Sequence, residues 1–271
     1  MVKRGSSWTE RKRVMRAIPA VGVNVTTYRA YGKAGISELL GERANLARRL
    51  TAATTDSMIF LNRGDRFEAR PLPIEAQFAP VFGVTVADFD GDGNEDLFLA
   101  QNFFGVDLET SRHDGGAGLM LTGDGRGGFR SLAPAVSGIA IYGQQRGSAA
   151  ADFDGDGRMD LAVGQNRGQT ALYRNQGGLP GVRIRLRGSR GNPHAVGATV
   201  RVRHGDRWSR LVEIHAGAGY WSQDSAVALF AATSLPTSVQ VRWPDGKRQE
   251  HTWPALQKSV DVSKEGIRSA Q

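Results

Sequence analysis

One short acidic pattern, Asp-x-Asp-x-Asp-Gly-x-x-Asp, occurs twice in this chain and constrains its fold more than any other feature. The copies are Asp88, Asp90, Asp92, Gly93, Asp96 and Asp152, Asp154, Asp156, Gly157, Asp160, with matched residues 64 positions apart. Carboxylates packed this densely repel: two unit charges ~4 Å apart cost ~4 kcal/mol at an effective dielectric of ~20. A hard divalent cation removes that penalty, and a tight turn relieved by glycine lets alternate Asp side chains point at one centre. The position after the glycine offers its backbone carbonyl to such an ion. It is Asn94 in one copy and Arg158 in the other, and Arg158 is expected to turn its side chain outward. Every side-chain ligand is oxygen, which selects calcium over zinc, and magnesium prefers fewer protein ligands and more water. Two structural Ca²⁺ sites are therefore expected. An EF-hand would place a Glu where Leu99 and Val163 stand, and the flanks read as strands, so each loop is expected to close a β-hairpin.

The repeat extends beyond the loops. VADFDGDGNEDLFLAQN (86–102) aligns with AADFDGDGRMDLAVGQN (150–166), and the pair Gln101-Asn102 recurs at the same offset as Gln165-Asn166. MIFLNRGDRF (58–67) aligns with LMLTGDGRGGF (119–129), each a short apolar strand, a polar turn and a Phe, and a third copy begins at ALYRNQGG (171–178) and stops. The linker 103–118 accounts for most of the irregularity in the period. Strand-built repeats of this length imply a β-propeller or an array of β-blades. Gly supplies 35 of the 271 residues, which fits many turns and short strands.

From Gly181 the pattern changes. VRIRLRG (182–188), ATVRVRHG (198–205), SRLVEIHAG (209–217), VALF (227–230) and SVQVRWPDG (238–246) alternate or run apolar between turn residues. They predict a small β-sandwich over 181–262, with a domain boundary near 180 and a tail over 263–271. At the other end, Ile36, Leu39, Leu40, Leu46, Ala47 and Leu50 recur at helical spacing, with Glu38, Glu42, Arg43 and Arg49 among them. They predict one amphipathic helix over 33–57 within a basic N-terminal segment, 1–57. The blades then occupy 58–180.

The net charge of +8 is segregated: residues 1–57 hold 11 Lys/Arg and 4 Asp/Glu, residues 88–160 hold 5 and 13, and residues 181–271 hold 14 and 7. The cations are scattered and the acidic centre would repel phosphate, so nucleic acid is disfavoured as a partner. No apolar run is long enough for a transmembrane helix. Lys3, Arg4, Arg11, Lys12, Arg13 and Arg16 resemble a basic leader, but only the short Ile18–Val25 run follows and no signal peptide is visible. The chain has no Cys, which excludes disulfides, thiolate metal sites and cysteine nucleophiles. His113, His194, His204, His215 and His251 form no metalloprotease or triad spacing, and Ser225 lacks a nucleophile-elbow context. No catalytic residues are assigned.

These loops resemble the FG-GAP/VCBS repeats of calcium-binding β-propellers. GVRIRLRGSRGNPHAVGATVRV (181–202), GAGYWSQDS (217–225) and VQVRWPDGKRQE (239–250) resemble the ASPIC/UnbV domain that follows such propellers in one subgroup, the cartilage acidic protein-like family. That family has a Gly-rich His-Phe-Gly-Leu-Gly stretch where this chain has LFAATS (229–234). The resemblance implies an extracellular or cell-surface setting and a binding, adhesion or scaffolding role with a protein or glycan partner. Two further readings stay open: an accessory domain of a secreted carbohydrate-active enzyme, and a biosynthetic accessory protein. Propellers of this kind close with about seven blades, so a chain with two is expected to be part of a longer protein, and its open blade edges predict self-association.

Overall fold

The computed structural model describes residues 11–48, 50–107, 110–232 and 234–270. By its contacts the chain separates into two compact units, Met1–Thr55 and Asp56–Gln271.

The first unit is helical but broken. It contains α1 (Arg11–Ala17), α2 (Ala20–Asn24), α3 (Tyr28–Lys33), α4 (Ile36–Leu40) and a 3-10 turn over Gly41–Leu46. Thr27 starts α3 by accepting a hydrogen bond from the Ala30 N–H, and the Glu38 carboxylate accepts from the Gly35 N–H at the start of α4. Val21, Val25, Tyr31 and Leu39 form a small core. The single helix expected over 33–57 is therefore corrected. Gly35 is extended, and Gly41 ends α4 at φ +57°, a conformation glycine adopts without a Cβ penalty. The Asn24 side chain donates to the Leu39 carbonyl, satisfying one of the carbonyls the helix end leaves free. Only part of the apolar stripe is used: Leu39 is buried, whereas Leu46 is 87% exposed. Lys3, Arg4 and Arg49 lie outside the described residues.

The second unit is all β apart from short helical turns. It begins with a hairpin, β1 (Met58–Asn62) and β2 (Phe67–Pro71). An antiparallel meander follows: β3 (Val81–Ala87), β4 (Asp96–Gln101), β5 (Leu119–Gly123) and β6 (Phe129–Leu132), in that spatial order. A one-turn helix, α5 (Pro134–Ser137), leads to a second meander of β7 (Gln144–Ala151), β8 (Asp160–Asn166) and β9 (Ala171–Tyr173). The sequence repeat is a repeat of register. Leu97, Phe98 and Leu99 pair with Leu121, Met120 and Leu119, as Leu161, Ala162 and Val163 pair with Tyr173, Leu172 and Ala171.

The first meander is buried on both faces, which is why β4 is buried from end to end. Leu97, Leu99, Leu119 and Leu121 pack on one side with Ala76. Phe98, Ala100 and Met120 pack on the other with Leu161 and Val163 of the second meander and with Ile139 and Ile141. The two meanders approach through small residues. Gly83, Thr85 and Ala87 of β3 are buried while Val84 and Val86 face outward, and the Thr85 hydroxyl lies 2.6 Å from that of Ser148 on β7. The long linker is tied down by Asn102, which is buried at φ +84° and exchanges two hydrogen bonds with the Gly116 backbone. Its repeat counterpart Asn166 is exposed.

Two further sheets follow. One orders β14 (Val227–Ala231), β10 (Gly181–Arg187), β17 (Ser259–Ser263) and β18 (Gly266–Ser269), with β10 and β17 parallel. The other orders β12 (Arg207–Trp208), β11 (Thr199–His204), β15 (Ser238–Arg242) and β16 (Arg248–Thr252), with β13 (Val212–Glu213) also on β11. The alternate residues Val182, Ile184 and Leu186 of the first sheet and Val200, Val202, Val239 and Val241 of the second meet in one core with Trp243 and Trp253. Segment 178–183 and the 217–225 loop bond to the preceding meanders, so contacts do not separate the repeats from the two sheets that follow. One expectation is corrected here. Residues 263–271 are not a tail: β18 pairs with β17, and only Gln271 of that stretch lies outside the described residues. Of LFAATS, Leu229–Ala231 complete β14 and Thr233 lies outside the described residues.

The sequence signatures in this part are turn chemistry. The Asn192 side chain both donates to and accepts from the Val196 backbone, just before Gly197 at φ +86°. In Trp-Pro-Asp-Gly, Gly246 stands at φ +87° and closes the β15–β16 turn. In the 217–225 loop the Gln223 amide bonds to the Gly217, His215 and Asp224 backbone, and the Ser222 hydroxyl to the Ala218 carbonyl. That loop is fastened to β7: the Ala150 N–H donates to Asp224, and the Ser225 N–H donates to the Ala150 carbonyl.

Candidate metal centres

The two acidic loops sit at the β3–β4 and β7–β8 turns, closed by the pairs Ala87–Asp96 and Ala151–Asp160. They share one hydrogen-bond pattern. Asp88 accepts from the Gly91 and Gly93 N–H groups at 2.8 and 3.0 Å, and Asp152 accepts from Gly155 and Gly157 at the same distances. Asp90 and Asp154 each accept from the N–H two residues on, as do Asp92 and Asp156. Asp96 accepts from the Phe89 and Gly123 N–H groups, and Asp160 from Phe153 and Asn175. This lattice of N–H donors holds the carboxylates on a fixed turn before any ion is considered.

In the first loop Asp88, Asp90 and Asp96 bring one oxygen each within 4.8 Å of the others. Asp88 is 6% exposed and Asp96 fully buried. Burial pushes the Asp88 pKa up to about 6, against the Arg210 charge and the Gly91 and Gly93 N–H groups, and burial also raises Asp96. Arg210 pairs with Glu95 at 3.4 Å rather than with Asp88. A buried carboxylate group lacking a contacting cation fits a hard, oxygen-liganded ion. Asp92 stands outside the cluster, bonded to the Asn94 backbone and side-chain amide.

In the second loop the cluster is Asp152, Asp154 and Asp156, and Asp160 is not part of it. Each of these three carboxylates meets a guanidinium. Arg183 lies 3.1 Å from Asp152, Arg174 lies 2.5 Å from Asp154, and Arg158 lies 3.0 Å from Asp156. Burial raises the Asp156 pKa, but the Arg158 backbone N–H and guanidinium outweigh it and hold the group below the usual carboxylate value. The outward side chain expected for Arg158 is therefore corrected: it folds back on Asp156 and also donates to the Gly178 carbonyl at 2.7 Å. Arg174 and Arg183 were not legible as site residues, because they lie 18 and 27 positions beyond Asp156 and only the strand order brings them back.

Both loops also meet the segment that enters β10. The Leu179 N–H donates to the Asp90 carbonyl, the Gly181 N–H to the Gly157 carbonyl, and the Asn175 amide to the Phe89 and Met159 carbonyls.

Residues 146–177 match the FG-GAP repeat family, and residues 188–269 match the family described as ASPIC and UnbV. The chain therefore contains an FG-GAP repeat followed by an ASPIC/UnbV domain. The domain match runs through β18. The first acidic loop lies outside the matched FG-GAP residues and is tied to the second by the shared hydrogen-bond pattern. The FG-GAP and ASPIC/UnbV chain is 28% identical over 187 residues to cartilage acidic protein 1 of Homo sapiens, covering 67% of this chain and 28% of that protein. It is 29% identical over 174 residues to cartilage acidic protein 1 of Mus musculus, covering 62% and 26%. The chain thus spans just over a quarter of the length of these curated relatives. Among the described residues no helix is long and apolar enough to cross a membrane.

Proposed function

We propose that this chain is a non-enzymatic, calcium-stabilised binding module of an extracellular or cell-surface protein. In this reading β3–β6 form one propeller blade, β7–β9 form three strands of the next, and β1–β2 form the outer hairpin of the one before. The two following sheets form a β-sandwich. The observation that carries the calcium reading is the first loop. Asp88, Asp90 and Asp96 converge there, Asp88 and Asp96 buried and Asp90 exposed, and among the described residues no guanidinium or ammonium is in contact with them. Asp92 and the Asn94 carbonyl stand on the same turn and are the remaining protein ligands of the proposal. Bound there, Ca²⁺ would supply charge neutralisation and cross-link the β3–β4 turn. The FG-GAP match and the relatives named for cartilage support the extracellular setting. The partner is a protein or glycan. Calorimetric titration of metal-stripped protein with Ca²⁺ tests the proposal. A saturable site with Kd of about 10⁻⁴ to 10⁻³ M is expected, and absence of any heat of binding overturns it.

A further inference from the structure

The two loops share a hydrogen-bond lattice but differ in where their positive charge comes from. In the first, the aligned positions carry no charge: Asn94 follows the glycine, and Thr122 follows the β5 residue that pairs with Leu97. In the second, Arg158 stands in place of Asn94, and Arg174 in place of Thr122, since Tyr173 pairs with Leu161. The third guanidinium, Arg183, arrives from β10 in the next sheet and meets the inner carboxylate, Asp152. Arg174 also reaches Asp156 at 3.5 Å. Against the loop's four carboxylates, Asp160 included, three guanidinium groups leave about one net negative charge to attract a divalent ion, and each clustered carboxylate already has a cation in contact.

We infer that the second loop is closed by Arg158, Arg174 and Arg183 in place of a metal ion, and works as a metal-independent rivet between the repeats and the ASPIC/UnbV domain. The inference rests on the calcium reading of the first loop for its contrast, but its own substance is the arginine clamp. The clamp spans the junction: Arg183 belongs to β10, Arg158 holds the Gly178 carbonyl, and the Gly181 N–H is bonded to Gly157. The chain would then carry one calcium-dependent loop and one that stays closed when calcium is withdrawn, so the domain junction survives low calcium.

Two measurements on the full chain decide this. In the first, Ca²⁺ is titrated calorimetrically. Wild type is expected to take one ion, Asp88→Asn none and Asp152→Asn still one. The double variant Arg158→Asn/Arg174→Thr, which restores the first loop's residues at the two aligned positions, is expected to take two. Two ions in wild type, loss of an ion in Asp152→Asn, or a folded double variant that still takes one would each overturn the inference. In the second, melting is followed in chelator. Asp152→Asn/Asp156→Asn is expected to melt several degrees below wild type, because it strands the guanidinium groups. An unchanged melting temperature there overturns the clamp. If wild type takes no ion at all, the calcium proposal fails, and the chelator measurement still judges the clamp by itself.

Discussion

Asp88 shows how a single residue ties the first loop to pH as well as to metal. In the ion-free protein burial raises its pKa from 3.8 to about 6. The native state therefore takes up a proton as pH falls through 6, while the unfolded chain does so only near 3.8. Between those values the native state holds more protons, so stability rises as pH falls. Asp96, Asp160 and Asp224 are raised by burial in the same sense. We expect the melting temperature in chelator to climb between pH 7 and pH 5, and Asp88→Asn to flatten that climb. A flat or falling wild-type profile over this range would count against a buried, uncompensated Asp88. Calcium favours the ionised carboxylate, so its affinity should weaken below pH 6. At the same scale, Asp224 accepts the Ala150 N–H from a half-buried position. Asp224→Ala is expected to cost about 1–3 kcal/mol in chemical denaturation while leaving calcium stoichiometry unchanged.

Among the elements, those set by local chemistry were legible in the sequence. The acidic turns, the hairpins they close and the strand pattern of the ASPIC/UnbV domain all follow from glycine placement and period-two alternation, and they stand where the sequence puts them. The N-terminal leucine spacing points to one helix, but Gly35 and Gly41 break it. β18 was missed because Gly266–Ser269 has one large apolar residue, Ile267, and gains its strand from pairing with β17 rather than from propensity. The arginine clamp was illegible for a different reason. Salt bridges across 18 to 31 positions, from Arg174 to Asp156 and Arg183 to Asp152, depend on strand order, and composition shows only that arginines are present. Inside the first meander, Phe98 joins the two repeats with no exposed surface. Phe98→Ala is expected to cost about 3–5 kcal/mol, measured by denaturant unfolding, and a loss below 1 kcal/mol would contradict the shared core.

At the scale of the whole molecule, none of the described sheets closes on itself, and β9 is an edge strand bonded only to β8. Phe60, Val84, Val86, Leu172 and Trp221 are exposed, Trp221 at 91%. Unpaired edges and apolar surface favour association with another chain. Light scattering is expected to show mass rising with concentration, and a monodisperse monomer at high concentration would show that these edges are covered in solution. If calcium completes the first loop, scanning calorimetry in chelator and in calcium will register it as a gain in stability. At a free Ca²⁺ of ten times Kd one site adds about 1.4 kcal/mol, a rise of about 3–5 °C for a domain of this size. That rise is expected for wild type and is expected to be absent in Asp88→Asn. A wild-type melting temperature that is the same with and without calcium would contradict completion of the first loop by calcium.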